Sequence, residues 1–191
     1  NSLKKIEVLT ALILSGLVFK EYEENYNLGV KELERFVKTN FDNDGFPLSR
    51  SSNDLIFFTK YLILCHESIK DAQLYIPEFL DEITKKNLEC INFLKTPDKV
   101  IPLFNGSSEN NLDNFDKYLA NYKSYVKVKK NIIGGLFFAK SKSQIIYFDI
   151  GSPPRKDFSK NYQSGPLSFE YFLDGTKIIT NCGFGKNISS K

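Results

Sequence analysis

The sequence predicts an α+β protein in which a run of helices precedes a run of strands. Helical spacing of apolar residues dominates the first ~115 residues, and β-branched and aromatic segments dominate the last ~70. With 191 residues and 41% hydrophobic side chains, the chain can bury a core. This order is typical of an α+β fold or of two domains. We therefore divide the chain into a helical region, residues 1–122, and a β region, residues 123–191.

Four helices are predicted from apolar residues that recur three or four positions apart. They cover roughly Leu3–Tyr22, Leu28–Phe41, Ser52–Gln73 and Pro77–Leu94. Gly45 and Pro47 follow the second helix as breakers, and Pro77 suits the first turn of the fourth. The short connections predict antiparallel helices stacked as hairpins. A shorter helix is expected over Asn114–Tyr122.

Strands are predicted where β-branched and aromatic residues are concentrated. They cover Tyr125–Lys129, Leu136–Phe138, Gln144–Ile150, Leu167–Phe172 and Lys177–Asn181. Pro153 and Pro154 end the third of these because proline cannot donate to a strand ladder. Asp174-Gly175 is a favoured two-residue hairpin turn, so the last two strands are expected to pair.

Charge and motifs argue against several classes of function. The formal net charge is +3 with lysines spread along the chain, which lacks the concentrated basic face of a nucleic-acid-binding protein. No apolar run reaches the ~18 residues that a membrane-spanning helix needs. The sequence has no GxGxxG, P-loop, GxSxG or HExxH motif, and we predict no cofactor.

No metal site is predicted either. His66 is the only histidine, lies within a predicted helix, and is expected to be structural, since a zinc site of several histidines cannot be built from one. The turn Asp42–Gly45 resembles the start of a calcium loop. It has Ser51 where such a loop needs a bidentate glutamate, so we interpret it as a turn that ends a helix.

The chain begins with Asn1 and contains no methionine. Together with the small number of predicted strands, this suggests an internal piece of a longer protein.

Five segments in chain order carry a resemblance to one family. They are Asp44–Ser51 (DGFPLSRS), Phe104–Gly106 (FNG), Asp149–Pro154 (DIGSPP), Leu167–Glu170 (LSFE) and Asn181–Gly183 (NCG). The first is similar to a DGGHxxRSP turn between helices, and the last four are similar to elements in and before a β-sandwich. In this order and spacing they resemble the heparinase II/III-like polysaccharide lyases, in which FNG and NCG mark a bacterial subgroup.

The resemblance implies helices of an α/α-toroid followed by the start of an antiparallel β-sandwich, with a substrate cleft between them. It also implies β-elimination on uronate-containing acidic polysaccharides or oligosaccharides. That chemistry needs a base, an acid for the leaving oxygen, and groups that neutralise the uronate carboxylate. A tyrosine, histidines and an asparagine carry these roles in active relatives.

This sequence departs from the family pattern at the catalytic positions. Pro47 replaces the histidine of the DGGH turn, and the tyrosine expected after Arg50 falls at about Asp54. Asn161 and Gln163 replace the histidines before the LSFE strand. The asparagine–histidine pair of the toroid falls at or before Asn1.

Four residues are predicted to form the site. Arg50 is a candidate for binding a carboxylate, since guanidinium can do so bidentately; a salt bridge that anchors the turn beside Asp44 is an equal alternative. Asn105 is the second substrate-binding candidate. Tyr162 is the candidate for the missing acid/base tyrosine, with a packed aromatic at a strand end as the alternative. Gln163 can form hydrogen bonds but cannot shuttle a proton at neutral pH.

Two functions follow from the resemblance. The first is a polysaccharide lyase-like protein; the alternative is a catalytically inactive glycan-binding or scaffold protein of the same fold, which the missing histidines favour. A cell-envelope assembly partner is a weaker third. The resemblance suggests the periplasm or cell envelope of a bacterium, and the sequence does not predict an oligomeric state. Convergence of the four candidates on one open cleft would favour a carbohydrate site, whereas candidates that are scattered or buried against each other would favour the scaffold function.

Overall fold

The structure is a computed structural model that describes residues 2–96, 100–108, 112–119, 130–160, 162, 165 and 167–181. Within these residues, five α-helices precede five β-strands, which confirms the predicted α+β class. The helices are α1 (Ser2–Val18), α2 (Glu23–Asn40), α3 (Ser52–Asp71), α4 (Glu78–Leu94) and α5 (Asp113–Leu119). The strands are β1 (Ile132–Ile133), β2 (Leu136–Lys140), β3 (Gln144–Asp149), β4 (Phe169–Leu173) and β5 (Thr176–Ile179).

The first two helices form a closely packed hairpin. The first predicted helix is interrupted: α1 ends at Val18, and a separate 3-10 turn, Lys20–Tyr22, leads into α2. Gly16 lies against the backbone of α2, where a Cβ atom would approach the backbone nitrogen of Tyr26 to 2.3 Å. A side chain at this position would therefore force α1 and α2 apart.

The five strands form an antiparallel meander in the order β1-β2-β3-β4-β5. The predicted hairpin between the last two strands is confirmed, because Asp174 and Gly175 both adopt positive φ angles, of 49° and 80°, between β4 and β5. Strand β1 was not predicted, since its two residues are too few to give a pattern. The predicted strand Tyr125–Lys129 lies outside the described residues.

Two buried apolar clusters fill the molecule. The first cluster joins the four helices α1, α2, α3 and α4 and includes Ile6, Phe36 and Leu80. The second joins α3 and α4 to the sheet and includes Phe93 and Tyr147, whose hydroxyl donates to the Phe93 carbonyl at 3.1 Å. The helices and the sheet therefore share a core. The domain boundary predicted between residues 122 and 123 lies outside the described residues and stays a prediction.

The buried side chain of Arg50 connects the helical region to the sheet. Arg50 lies in the turn between α2 and α3, and only 8% of its surface is exposed. Its Nη2 donates to Asp149 Oδ1 at the end of β3 at 2.5 Å. The remaining bonds run to backbone carbonyl oxygens: Nε to Gly134 at 3.1 Å, Nη1 to Gly151 at 3.2 Å and Ser152 at 3.0 Å, and Nη2 to Gly135 at 3.3 Å. We call this set of bonds the Arg50 clamp.

Glycines on both sides of the guanidinium allow this close approach. A Cβ atom at Gly151 would lie 2.5 Å from Arg50 Nη2, and one at Gly135 would lie 2.7 Å from the same atom. Gly135 also has a φ of 77°, a conformation that L side chains rarely adopt. The Gly-Gly turn between β1 and β2 thus serves the clamp as well as the hairpin.

We expect Asp149→Ala to lower the free energy of unfolding by about 3–5 kcal/mol, because it leaves a buried guanidinium without its counter-charge. Equilibrium denaturation in urea would measure the loss. Glu34→Ala is the control: it removes the partner of Lys38 in an exposed pair within α2 and should change stability by at most about 0.5 kcal/mol. Equal losses in the two variants would contradict the role assigned to the clamp.

Candidate functional site

A cavity of about 320 Å³ lies where four segments of the chain meet. These segments are the start of α1, the turn leading into α3, the loop at Asn105, and the stretch 157–162. The polar lining includes Ser49, Asp54, Asn105, Asp157, Lys160 and Tyr162. The fold therefore brings two of the four predicted site residues, Asn105 and Tyr162, to one cavity.

Asn105 is held in a strained turn with its side chain buried. Its φ is 53° and that of Gly106 is 76°, and the Ser107 N–H closes the turn on the Phe104 carbonyl at 3.0 Å. Asparagine tolerates such angles better than most residues. Although Asn105 is only 6% exposed, neither atom of its amide has a hydrogen-bond partner among the described residues. A buried unpaired polar group costs about 1–3 kcal/mol, so its retention requires an explanation such as a ligand.

Tyr162 contributes a second polar group without a partner. Its backbone N–H donates to the Ser159 carbonyl at 3.0 Å, which places it just after the 3-10 turn Lys156–Phe158. Within the described part of the chain, its buried hydroxyl has no hydrogen-bond partner. The cavity lining thus includes an amide and a phenol whose polar atoms are buried without a partner among the described residues.

Asp54 lies in the first turn of α3 and lines the same cavity. The Ser51 hydroxyl caps the helix by accepting from the Asp54 N–H at 3.3 Å, and Asp54 Oδ2 accepts from the Ser49 hydroxyl at 2.7 Å. Burial raises the pKa of the Asp54 carboxyl, and the hydrogen bond from Ser49 opposes this increase. Asp54 was not predicted as a site residue. The one sequence feature that could have indicated it is its position, where the resembled family has a tyrosine.

Basic side chains flank the cavity. Lys160 is exposed on its lining, as is Asp157. Arg155 lies over the Phe158 ring, with its guanidinium carbon 5.5 Å from the ring centroid. Phe158 also lines a second cavity, of about 300 Å³, on the side of Arg155 and Arg50. The segment 155–160 thus borders both cavities, with Lys160 and Asp157 at the first and Arg155 at the second.

Arg50 is placed apart from Asn105 and Tyr162. It lines the second cavity, and each of its guanidinium nitrogens already donates to a protein oxygen. The predicted alternative was a salt bridge that anchors the turn beside Asp44. Arg50 does form a salt bridge, but its partner is Asp149 at the end of β3, so the bridge connects the turn to the sheet. Substrate binding by Arg50 stays a prediction that requires the exchange of one of these bonds. Gln163 lies outside the described residues.

The lone histidine takes a structural position. His66 is buried on α3, with Nδ1 2.9 Å from Glu67 Oε1 and Nε2 3.5 Å from Asp81 Oδ1, and it is not among the residues that line either cavity. Across the described ranges, no group of three or more His, Cys, Asp or Glu residues is arranged to hold a metal ion. No described helix combines the length and apolarity required to cross a membrane.

Solved structures with a similar fold include two heparinase III structures and one heparan sulfate lyase. A heparinase III crystal structure matches with 18% identity and a TM-score of 0.76, over 93% of this chain and 34% of its own. This chain has the fold of part of heparinase III. A second heparinase III, the BT4657 gene product, matches with 17% identity and a TM-score of 0.76, over 92% of this chain and 32% of its own. The heparan sulfate lyase HepC from Pedobacter heparinus matches with 16% identity and a TM-score of 0.72, over 92% and 32%.

The likeness lies in the fold. No protein-family profile and no curated protein sequence matches the chain. The predicted resemblance to heparinase II/III-like proteins is confirmed at the level of the fold. The chain spans about a third of the length of these neighbours.

We expect Asp54→Asn to be at least as stable as the wild type at neutral pH. Because the folded pKa is raised above the unfolded value, the folded state holds the Asp54 proton to higher pH. Ionisation of Asp54 therefore destabilises the folded wild type. This destabilisation is absent below the pKa of the unfolded state, near 3.9, and complete above the pKa of the folded state. The stability of the variant relative to wild type should therefore increase as pH rises through this window. Urea denaturation across the window would measure this, and a difference independent of pH would contradict it.

Proposed function

We propose that the protein is a polysaccharide lyase-like enzyme that cleaves uronate-containing acidic glycans by β-elimination. The fold shared with heparinase III and heparan sulfate lyase structures supports this reaction class. The observation that carries the proposal is the cavity in which the Asn105 amide and the Tyr162 hydroxyl are buried without protein partners. A polar ligand in this cavity would supply the hydrogen bonds that these groups lack.

In this proposal α1 to α4 belong to an α/α-toroid, and the five-stranded sheet is the start of a β-sandwich. The cavity is then part of the substrate cleft between residues 1–122 and residues 123–191. Its lining by both the helical turn at Ser49 and the segment around Tyr162 is consistent with such a cleft.

The Asn105 amide would bind the uronate carboxylate. When the proton on the adjacent carbon leaves, negative charge spreads onto the carboxylate, and a preorganised N–H donor stabilises this charge more in the transition state than in the ground state. Because the amide is already buried and rigidly placed in its turn, it need not be reorganised during the reaction. Lys160 and Arg155 would add positive potential that attracts an acidic glycan.

The Tyr162 hydroxyl would act as the acid for the leaving group. It would donate its proton to the glycosidic oxygen as the bond from that oxygen to the sugar breaks. Gln163 would hydrogen-bond the substrate beside it. Arg50 would contribute a carboxylate contact only if a substrate displaced one of its carbonyl acceptors.

A non-catalytic glycan-binding or scaffold function is the second candidate. One observation favours it: the only histidine of the chain, His66, is held between carboxylates in the helical core and is not at the cavity. A protein that binds acidic glycans would still use Asn105, Lys160 and Arg155, but it would release no unsaturated product.

We expect Tyr162→Phe to lower turnover at least ~100-fold, because it removes the proposed acid. The unsaturated uronate product absorbs in the ultraviolet, so incubation with heparan sulfate or alginate oligosaccharides gives a direct assay. Stability should not fall, since the hydroxyl has no partner among the described residues. Unchanged turnover in an active protein would contradict the role of Tyr162. A wild type that binds these glycans without forming product would favour the scaffold function.

We expect Asn105→Gly to weaken binding of acidic oligosaccharides about tenfold or more, because a charge-assisted hydrogen bond is lost. Glycine accepts the positive φ, and the lost amide has no described partner, so the free energy of unfolding should change by less than about 1 kcal/mol. Titration calorimetry and urea denaturation would measure the two effects. Asn43→Gly is the control, since this exposed residue in the turn after α2 is not among those lining the cavity, and it should leave binding unchanged. Binding unaffected by Asn105→Gly would contradict the carboxylate contact.

A further inference from the structure

We propose that Asp54 is the base that removes the proton beside the uronate carboxylate, a role that rests on the lyase reaction proposed above. The carboxyl group lines the same cavity as the Asn105 amide and the Tyr162 hydroxyl. These three groups supply the base, the carboxylate partner and the acid that β-elimination requires.

The carboxyl group is held firmly on one side only. Oδ2 accepts from the Ser49 hydroxyl at 2.7 Å, and the backbone of Asp54 is fixed by the Ser51 cap. Oδ1 has no hydrogen bond to any described residue, so one oxygen is available to a substrate. Asp54 is thus fixed in the first turn of α3 with one carboxylate oxygen unbonded, an arrangement suited to proton transfer.

Helix capping alone does not account for Asp54. An acidic residue at this position usually accepts the backbone N–H of the capping residue. Here the Ser51 N–H donates to the Ser49 hydroxyl oxygen at 3.4 Å, and Ser49 in turn donates to Asp54. Ser49 therefore accepts the backbone N–H of Ser51 in place of Asp54. The Asp54 carboxyl group is left partly desolvated. Burial raises its pKa, which strengthens it as a base.

The charged and titratable groups around Asp54 come from two elements. Tyr162, Lys160 and Asp157 share the cavity from the segment 157–162. Lys60 lies one to two turns further along α3, beside a smaller cavity that Asp54 also lines. Among the described residues, the start of α1 contributes the uncharged Ser2 and Leu3 to the lining. The two lysines offset the negative charges of Asp54 and Asp157.

The step balances without a further reactant. The C–H bond next to the carboxylate breaks and its proton moves to Asp54 Oδ1, while the electron pair forms the new C=C bond. The C–O bond to the leaving sugar breaks, and its oxygen takes the Tyr162 proton. Asp54 then releases one proton to solvent and Tyr162 regains one. The products are an unsaturated uronate and a new hydroxyl end.

The test compares the pH dependence of kcat/KM for the wild type and three variants. Asp54→Asn should lower kcat at least ~100-fold with little change in KM. Ser49→Ala removes the hydrogen bond that lowers the pKa of Asp54, so the acidic limb of the profile should move to higher pH. Asp71→Asn is the control, since it makes the same substitution at the exposed last residue of α3 and should leave the profile unchanged.

The outcomes separate the two proposals. An active wild type with near-normal kcat in Asp54→Asn, or with an unmoved acidic limb in Ser49→Ala, overturns the base role and leaves the lyase function standing. A wild type that forms no unsaturated product overturns the lyase function and the base role together. Circular dichroism checks folding, and if Asp54→Asn fails to fold, the Ser49→Ala profile decides alone.

Discussion

The Arg50 clamp is the interaction on which the rest of the arrangement depends. One guanidinium on the turn before α3 binds the β1–β2 turn, the end of β3 and the chain that follows it. The next residue, Ser51, caps α3, so the clamp also sets where that helix begins. The position of Asp54, three residues further on, therefore follows from the junction between the helices and the sheet.

The sequence was most informative where a pattern is local. Helices α2 to α4 and the Asp174-Gly175 hairpin could be predicted because apolar spacing and turn chemistry act over a few residues. The role of Arg50 could not, since its partners lie 84 to 102 residues away. The same distance explains why the glycines around it read as ordinary turn residues, although they make room for the guanidinium.

The candidate site was predicted only in part, for a related reason. The FNG resemblance led to Asn105, and position in the cleft led to Tyr162, but no pattern indicated that both polar groups would be buried without described partners. Asp54 was visible only as a departure from the family's tyrosine. Asp54 accepts a hydrogen bond from Ser49 and lines the cavity, and both features arise only when the turn packs against α3.

The contrast between the clamp and the cavity bears on whether the site is in use. Every nitrogen of the Arg50 guanidinium is satisfied within the protein, whereas the Asn105 amide and the Tyr162 hydroxyl are buried without described partners. A buried polar group without a partner lowers stability, and a ligand that hydrogen-bonds it would offset that cost. The polar ligand proposed above would complete both groups beside the partly desolvated Asp54.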